Sequence, residues 1–256
     1  DRNKSVFIDF DGVYMNSDVW INGHFLGNRP YGYSSFRYEL TSYLNYGSKP
    51  NVISVRVDNS KQPNSRWYSG SGIYRNVWLV TTNKIHVDHW GTFVSTPQVN
   101  DKEAIVSVKT TVRNEMDASS PVTLKTILYD KNGKEVASSS LKESVSGASA
   151  KTFSQELKVS NPELWSTTNP VLYKTVSIIE SEGKPLDNYE TPFGIRYFRF
   201  DSKEGFFLNG EHLKIKGVCD HHDLGSLGAA FSEDLGGRGG GPTENMVIIE
   251  EMGKAL

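Results

Sequence analysis

Cys219, Asp220, His221, His222 and Asp223 stand side by side and between them carry most of the reactive side-chain types. His, Asp and Cys all bind metals. Adjacent residues of an extended chain point to opposite faces, however, so few of the five can converge on one ion. His86 and His89 lie far upstream in a strand-like region and supply no evident further ligand, so neither a metal nor another cofactor is expected. A Cys219–His nucleophilic pair is disfavoured too, because immediate neighbours rarely reach hydrogen-bonding geometry with each other. Arg66, Trp67 and Tyr68 form a second candidate, followed by Gly70 and Gly72 and then by the alternating Ile73, Arg75, Val77 and Leu79. Read plainly, the glycines make a turn and the aromatics pack a sheet edge. Glu250 and Glu251 are not a carboxylate pair, since neighbours on a helix project about 100° apart. The glycines of "LGGRGGGPT" lack the following Lys-Ser/Thr and the preceding strand of a phosphate-binding loop, which leaves a loop.

The elements that must position these residues have a dominant period of two. In "NVISVRVDN", Ile53, Val55 and Val57 share one face. In "AIVSVKTTVRN", Ala104, Val106, Val108, Thr110 and Val112 oppose Ser107, Lys109, Thr111 and Arg113. "VTLKTILYDKNGKEVASSSL" reads as two strands joined around Asn132-Gly133, a strong hairpin dipeptide. Strand-sized runs recur at the spacing typical of sandwiches, which predicts a mainly antiparallel β protein. The register changes only near the end, where Ile248, Met252 and Leu256 fall four apart and Thr243 can cap a helix. Breaks are expected near Thr81–Lys84 and near Pro192–Gly194.

With 256 residues, 37% hydrophobic and 23% charged, the chain has room for two domains and a smaller third piece. A net charge of −2 argues against nucleic acid and anionic membranes as partners. No apolar run approaches the roughly 18 residues of a membrane span. The single cysteine excludes an internal disulfide framework and leaves the compartment open, with a periplasmic or secreted location slightly favoured.

Three collinear motifs carry a resemblance. They are "VWINGHFLGNRPYGYSSFRYELTSYL…NVISVRVDNS…RWYSGSGIYRNVWL", "NPELWSTTNPVLY" and "FGIRYFRFDSKEGFFLNGEHLKIKGVCDHHDLGSLGAAF". Together, over roughly residues 15 to 231, they resemble glycoside hydrolase family 2, and the third is most similar to its β-galactosidase branch. The resemblance implies a partial jelly-roll, sugar-binding-type domain over 1–82 and an immunoglobulin-like β-sandwich over 83–194. The start of a (β/α)₈ barrel would follow over 195–256, with "KIKGV" as its first strand.

The same resemblance implies a retaining hydrolase acting on β-galactosides, with carbohydrate as its partner; a homo-oligomer is compatible with this. Retention uses two carboxyl groups about 5–5.5 Å apart, which in the family are glutamates on later barrel strands. Asn114-Glu115 lies in the sandwich and Asn209-Gly210-Glu211 precedes the barrel. No catalytic residue is therefore expected within the chain, and 1–256 is expected to be inactive alone. Substrate-binding roles fall on Arg66 and His221, with His222 or Asp220 replacing His221 if the register slips. Trp165 is expected to be a core or interdomain aromatic. The alternative is a stand-alone carbohydrate-binding or scaffold β-module.

Overall fold

The computed structural model describes residues 3–61 and 69–217. Among them there is no α-helix, only one 3-10 turn at Thr41–Tyr43. The chain is mainly β, as the period-two pattern predicts. Contacts divide it into two compact units. One runs from Leu79 to Ile215 and takes in residues 3–7 and Glu39–Ser42; the other combines Ile8–Tyr38 with residues 43–61 and 69–78 and, in the described tail, Lys216 and Gly217.

The N-terminal strands are β1 (Ser5–Phe10), β2 (Val13–Tyr14), β3 (Ser17–Ile21), β4 (His24–Arg29), β5 (Phe36–Glu39), β6 (Ile53–Arg56), β7 (Gly72–Ile73) and β8 (Val77–Thr82). They form three small sheets, β5-β1-β8, β4-β3-β6 and the ladder β2-β7. Ile8, Phe10, Val13, Val19, Ile21 and Phe36 are buried, with Phe10 stacked on Phe36 at 5.0 Å. The apolar face read in β6 is a departure: Ile53 is exposed and Val55 half-buried in a strand that pairs, among the described residues, with β3.

The sandwich follows as β9 (Ile85–Val99), β10 (Glu103–Asn114), β11 (Ser120–Tyr129), β12 (Glu135–Val145), β13 (Ser149–Ser160), β14 (Tyr173–Ser181) and β15 (Lys184–Phe193). These pair antiparallel into the sheets β13-β10-β9 and β12-β11-β14-β15. The alternation of β10 has its predicted consequence, since Ala104, Val106, Val108, Thr110 and Val112 are all fully buried. Two apolar clusters fill the interior. One includes Val106, Val108, Leu128, Leu157 and Tyr173; the other includes Val112, Leu124, Val145, Phe153 and Ile179. On every one of β10, β11, β13 and β14 a polar residue lies between the two. Thr110 Oγ1 meets Ser177 Oγ at 3.3 Å, and Thr126 Oγ1 donates to Gln155 Oε1 at 2.6 Å. The core is therefore two apolar halves with a hydroxyl-and-amide layer across its waist.

Trp165 is buried against this sandwich. Its N–H donates to the Ile195 carbonyl at 2.8 Å, its carbonyl accepts Asn209 Nδ2 at 2.9 Å, and the Arg196 guanidinium lies 4.8 Å from the indole. A Cβ at Gly194 would come within 2.8 Å of Trp165 Cβ, so only glycine lets the chain pass beneath the ring. Last come β16 (Phe198–Asp201), β17 (Gly205–Leu208) and β18 (Glu211–His212), a small antiparallel sheet. Lys214–Gly217, expected within the first barrel strand, lie in no ladder at the end of the described residues. The expected C-terminal helix lies outside them.

Candidate functional site

Arg66, Asp220, His221 and His222 all lie outside the described residues, as do Trp67 and Tyr68. What the structure does describe is the framework on either side of residues 62–68. Before them, the Asp58 N–H donates to the Met15 carbonyl at 3.1 Å, and Asn16 Nδ2 donates to the Asp58 carbonyl at 3.0 Å. Asp58 Oδ1 accepts both the Ser60 N–H at 3.0 Å and the Ser60 hydroxyl at 2.6 Å, which holds the carboxyl below its ordinary value. After them, β7 pairs with β2 through Tyr14–Gly72 and Val13–Ile73. Asn59 Nδ2 donates to Ser71 Oγ at 3.0 Å and joins the two sides.

The same β2 strand organises a group of tyrosines. Tyr14 is buried and meets Tyr33 edge-on at 5.2 Å; Tyr33 meets Tyr31 edge-on at 5.7 Å. The Tyr74 hydroxyl donates to the Gly32 carbonyl at 2.8 Å. Two glycines make this possible. A Cβ on Gly12 would fall 2.6 Å from the Tyr74 ring, and one on Gly32 would overlap the Tyr14 ring. Burial raises the Tyr74 phenol above its usual pKa, with the Arg75 charge partly offsetting it. Tyr31, Tyr33 and Tyr74 nonetheless remain exposed over part of their rings, at 61%, 46% and 45%.

Asn16 ties the two features together. Its N–H donates to the Pro30 carbonyl at 3.2 Å, beside the tyrosines, while its side chain holds Asp58. Its φ of +48° is the left-handed conformation that Asn tolerates better than bulkier residues. Nearby carboxylates are engaged, Asp11 with Trp78 Nε1 at 2.9 Å and Asp58 with Ser60. Among the described residues no three His, Cys, Asp or Glu side chains are placed to hold a metal. The chemistry this surface offers is aromatic stacking and phenol hydrogen bonding, both suited to a sugar. The sequence did carry a signal, because "PYGY" places two tyrosines around a glycine, but their convergence with Tyr14 and Tyr74 required the fold.

Residues 85–196 match the profile of glycosyl hydrolases family 2. A β-galactosidase of Bacteroides ovatus is 49% identical over 253 residues, 99% of this chain. Residues 85–196 are a glycoside hydrolase family 2 domain. Other relatives match a similar span. A putative β-glucuronidase of Formosa agariphila is 42% identical over 91% of the chain. A solved family 2 member from Bacteroides cellulosilyticus superposes with a TM-score of 0.83 at 39% identity, over 88% of this chain and 31% of that one. The chain spans 29% of the length of the B. ovatus enzyme and 22% of the F. agariphila protein.

Proposed function

We propose that the chain is a non-catalytic portion of a retaining glycoside hydrolase that acts on β-galactosides. The observation that carries this is the 49% identity, along 99% of the chain, to an enzyme named a β-galactosidase. Relatives named β-glucuronidases make a β-glucuronide the competing substrate.

In this reading the two carboxyl groups that protonate the leaving oxygen and attack the anomeric carbon come from the barrel. The part described here supplies binding surface. Tyr31, Tyr33 and Tyr74 offer ring faces to the C–H side of a pyranose, and β2 with Asn16 fixes the framework on both sides of Arg66. Arg66 and His221, or His222 or Asp220 in place of His221, hydrogen-bond sugar hydroxyls.

The test is hydrolysis of chromogenic β-galactoside and β-glucuronide by residues 1–256 and by the same protein extended through a full barrel. The short chain should release no chromophore from either. The extended protein should prefer the galactoside, and His221→Ala in it should reduce kcat/KM. Turnover by the short chain that a substitution within it abolishes would overturn the reading.

A further inference from the structure

Strand β9 runs unbroken from Ile85 to Val99, yet its ladder with β10 is interrupted. Val87 pairs with Val112 and the next pair is Thr92 with Thr110, so residues 88–91 stand opposite Thr111 alone. This wide bulge is firmly built. The Asp88 carboxylate receives Arg113 Nε and Nη2 at 2.9 and 2.7 Å, and its Oδ1 also accepts the His89 N–H at 2.9 Å. A Cβ on Gly91 would lie 2.7 Å from the Asp88 carbonyl oxygen and 2.9 Å from that of Thr111, so no other residue fits the bend. Trp90 rides on it with φ +52°, a conformation that costs a bulky L-residue stability. The His89 ring stacks on the indole at 4.4 Å and 25°. Trp90 is nevertheless 69% exposed.

A strained backbone that holds a rigid indole out in water does nothing for folding, and glycine or asparagine would serve the turn better. The return must come from something that lands on the ring. We propose that Trp90 is the platform of a glycan-binding site on the sandwich unit, taking one neutral pyranose of a polysaccharide on the face that His89 leaves open. The neighbouring charge is already neutralised by the Asp88–Arg113 pair, so the site offers nothing to an ionic ligand. The apolar C–H face of a sugar ring matches the indole in size. The choice of carbohydrate rests on the glycoside hydrolase reading above.

The test is affinity electrophoresis of the 256-residue chain in native gels containing β-1,4-galactan, xyloglucan or β-mannan. At least one of these neutral polysaccharides should retard the chain, and Trp90→Ala should remove at least nine-tenths of that retardation. Trp90→Gly is the second variant. It relieves the left-handed strain, so it should melt no lower than the parent while still losing retardation. No retardation in any of the three gels, or equal retardation of parent and both variants, overturns the site. Because mobility is read and not sugar release, an active extended protein alongside an unretarded chain would reject this site alone.

Discussion

At the scale of single residues, the most exacting position is Trp165. Its ring lies 4.8 Å from the Arg196 guanidinium and close against the backbone at Gly194, and its main chain is bonded through both its N–H and its carbonyl. Trp165→Ala should cost about 3–5 kcal/mol, the range for removing a large aromatic from a core, measured as a shift of the urea midpoint for the sandwich. A midpoint within error of the parent would show the site to be peripheral. The core role of Trp165 was legible from the sequence, because a large aromatic between prolines and short polar residues has little else to do. Asp88 was not, since its partner Arg113 is brought beside it only by the pairing of β9 with β10. The hydrogen bonds from Arg113 are the main reason the Asp88 carboxyl sits below its ordinary value. With its folded value depressed, Asp88 contributes stability that is fully present above its unfolded value of about 3.9 and is lost as pH falls through the folded one. The stability gap between the parent and Asp88→Asn should therefore be constant near neutrality and close on acidification below about pH 4. A gap independent of pH down to 2 would refute the pairing.

At the scale of elements, turns show what the sequence did and did not disclose. Asn132-Gly133 does mark a hairpin, but as part of a longer loop in which Asp130 Oδ1 accepts the N–H groups of Asn132 and Lys134. The tight two-residue turns are Asn22-Gly23, Glu182-Gly183 and Asn209-Gly210, each with both residues at positive φ. Those dipeptides carry the mirror-image turn signature, partly masked where glutamate stands in the place of asparagine. The polar waist of the sandwich lies deeper still. Thr110 was readable as inward-facing from its alternation, but its meeting with Ser177 depends on how two sheets stack. Thr126→Val alone should cost about 1–3 kcal/mol, because it strips the Gln155 carbonyl of its donor inside the core. Combined with Gln155→Leu the loss should shrink or reverse, since both polar partners are then gone; Gln155 Nε2 already has no partner among the described residues. A double-mutant cycle by chemical denaturation decides it, and strict additivity would argue against the bond.

At the scale of the whole molecule, fold class was the most legible property and the candidate site the least. Period-two patterning is local and survives into the structure, whereas the tyrosine group brings Tyr14 and Tyr74 to the Tyr31–Tyr33 pair from far apart in the chain. One feature of the sandwich bears on how copies of the protein behave together in concentrated solution. β9 is the outer strand of its sheet, and a fifteen-residue outer strand is an invitation to intermolecular β-pairing. It is broken at residues 88–91 and shifts again around Thr96-Pro97, where proline can donate no N–H. The Val87 N–H is occupied by Asp187 Oδ2 at 2.8 Å, and the Thr96 hydroxyl donates to the Arg196 carbonyl at 2.7 Å. Little uninterrupted template remains for an incoming strand. Pro97→Val should restore a donor and straighten that stretch, and light scattering on heating should then rise earlier than for the parent. The irregularity that holds Trp90 in solvent thus also serves as colloidal protection, letting an exposed indole coexist with a long outer strand without seeding aggregation.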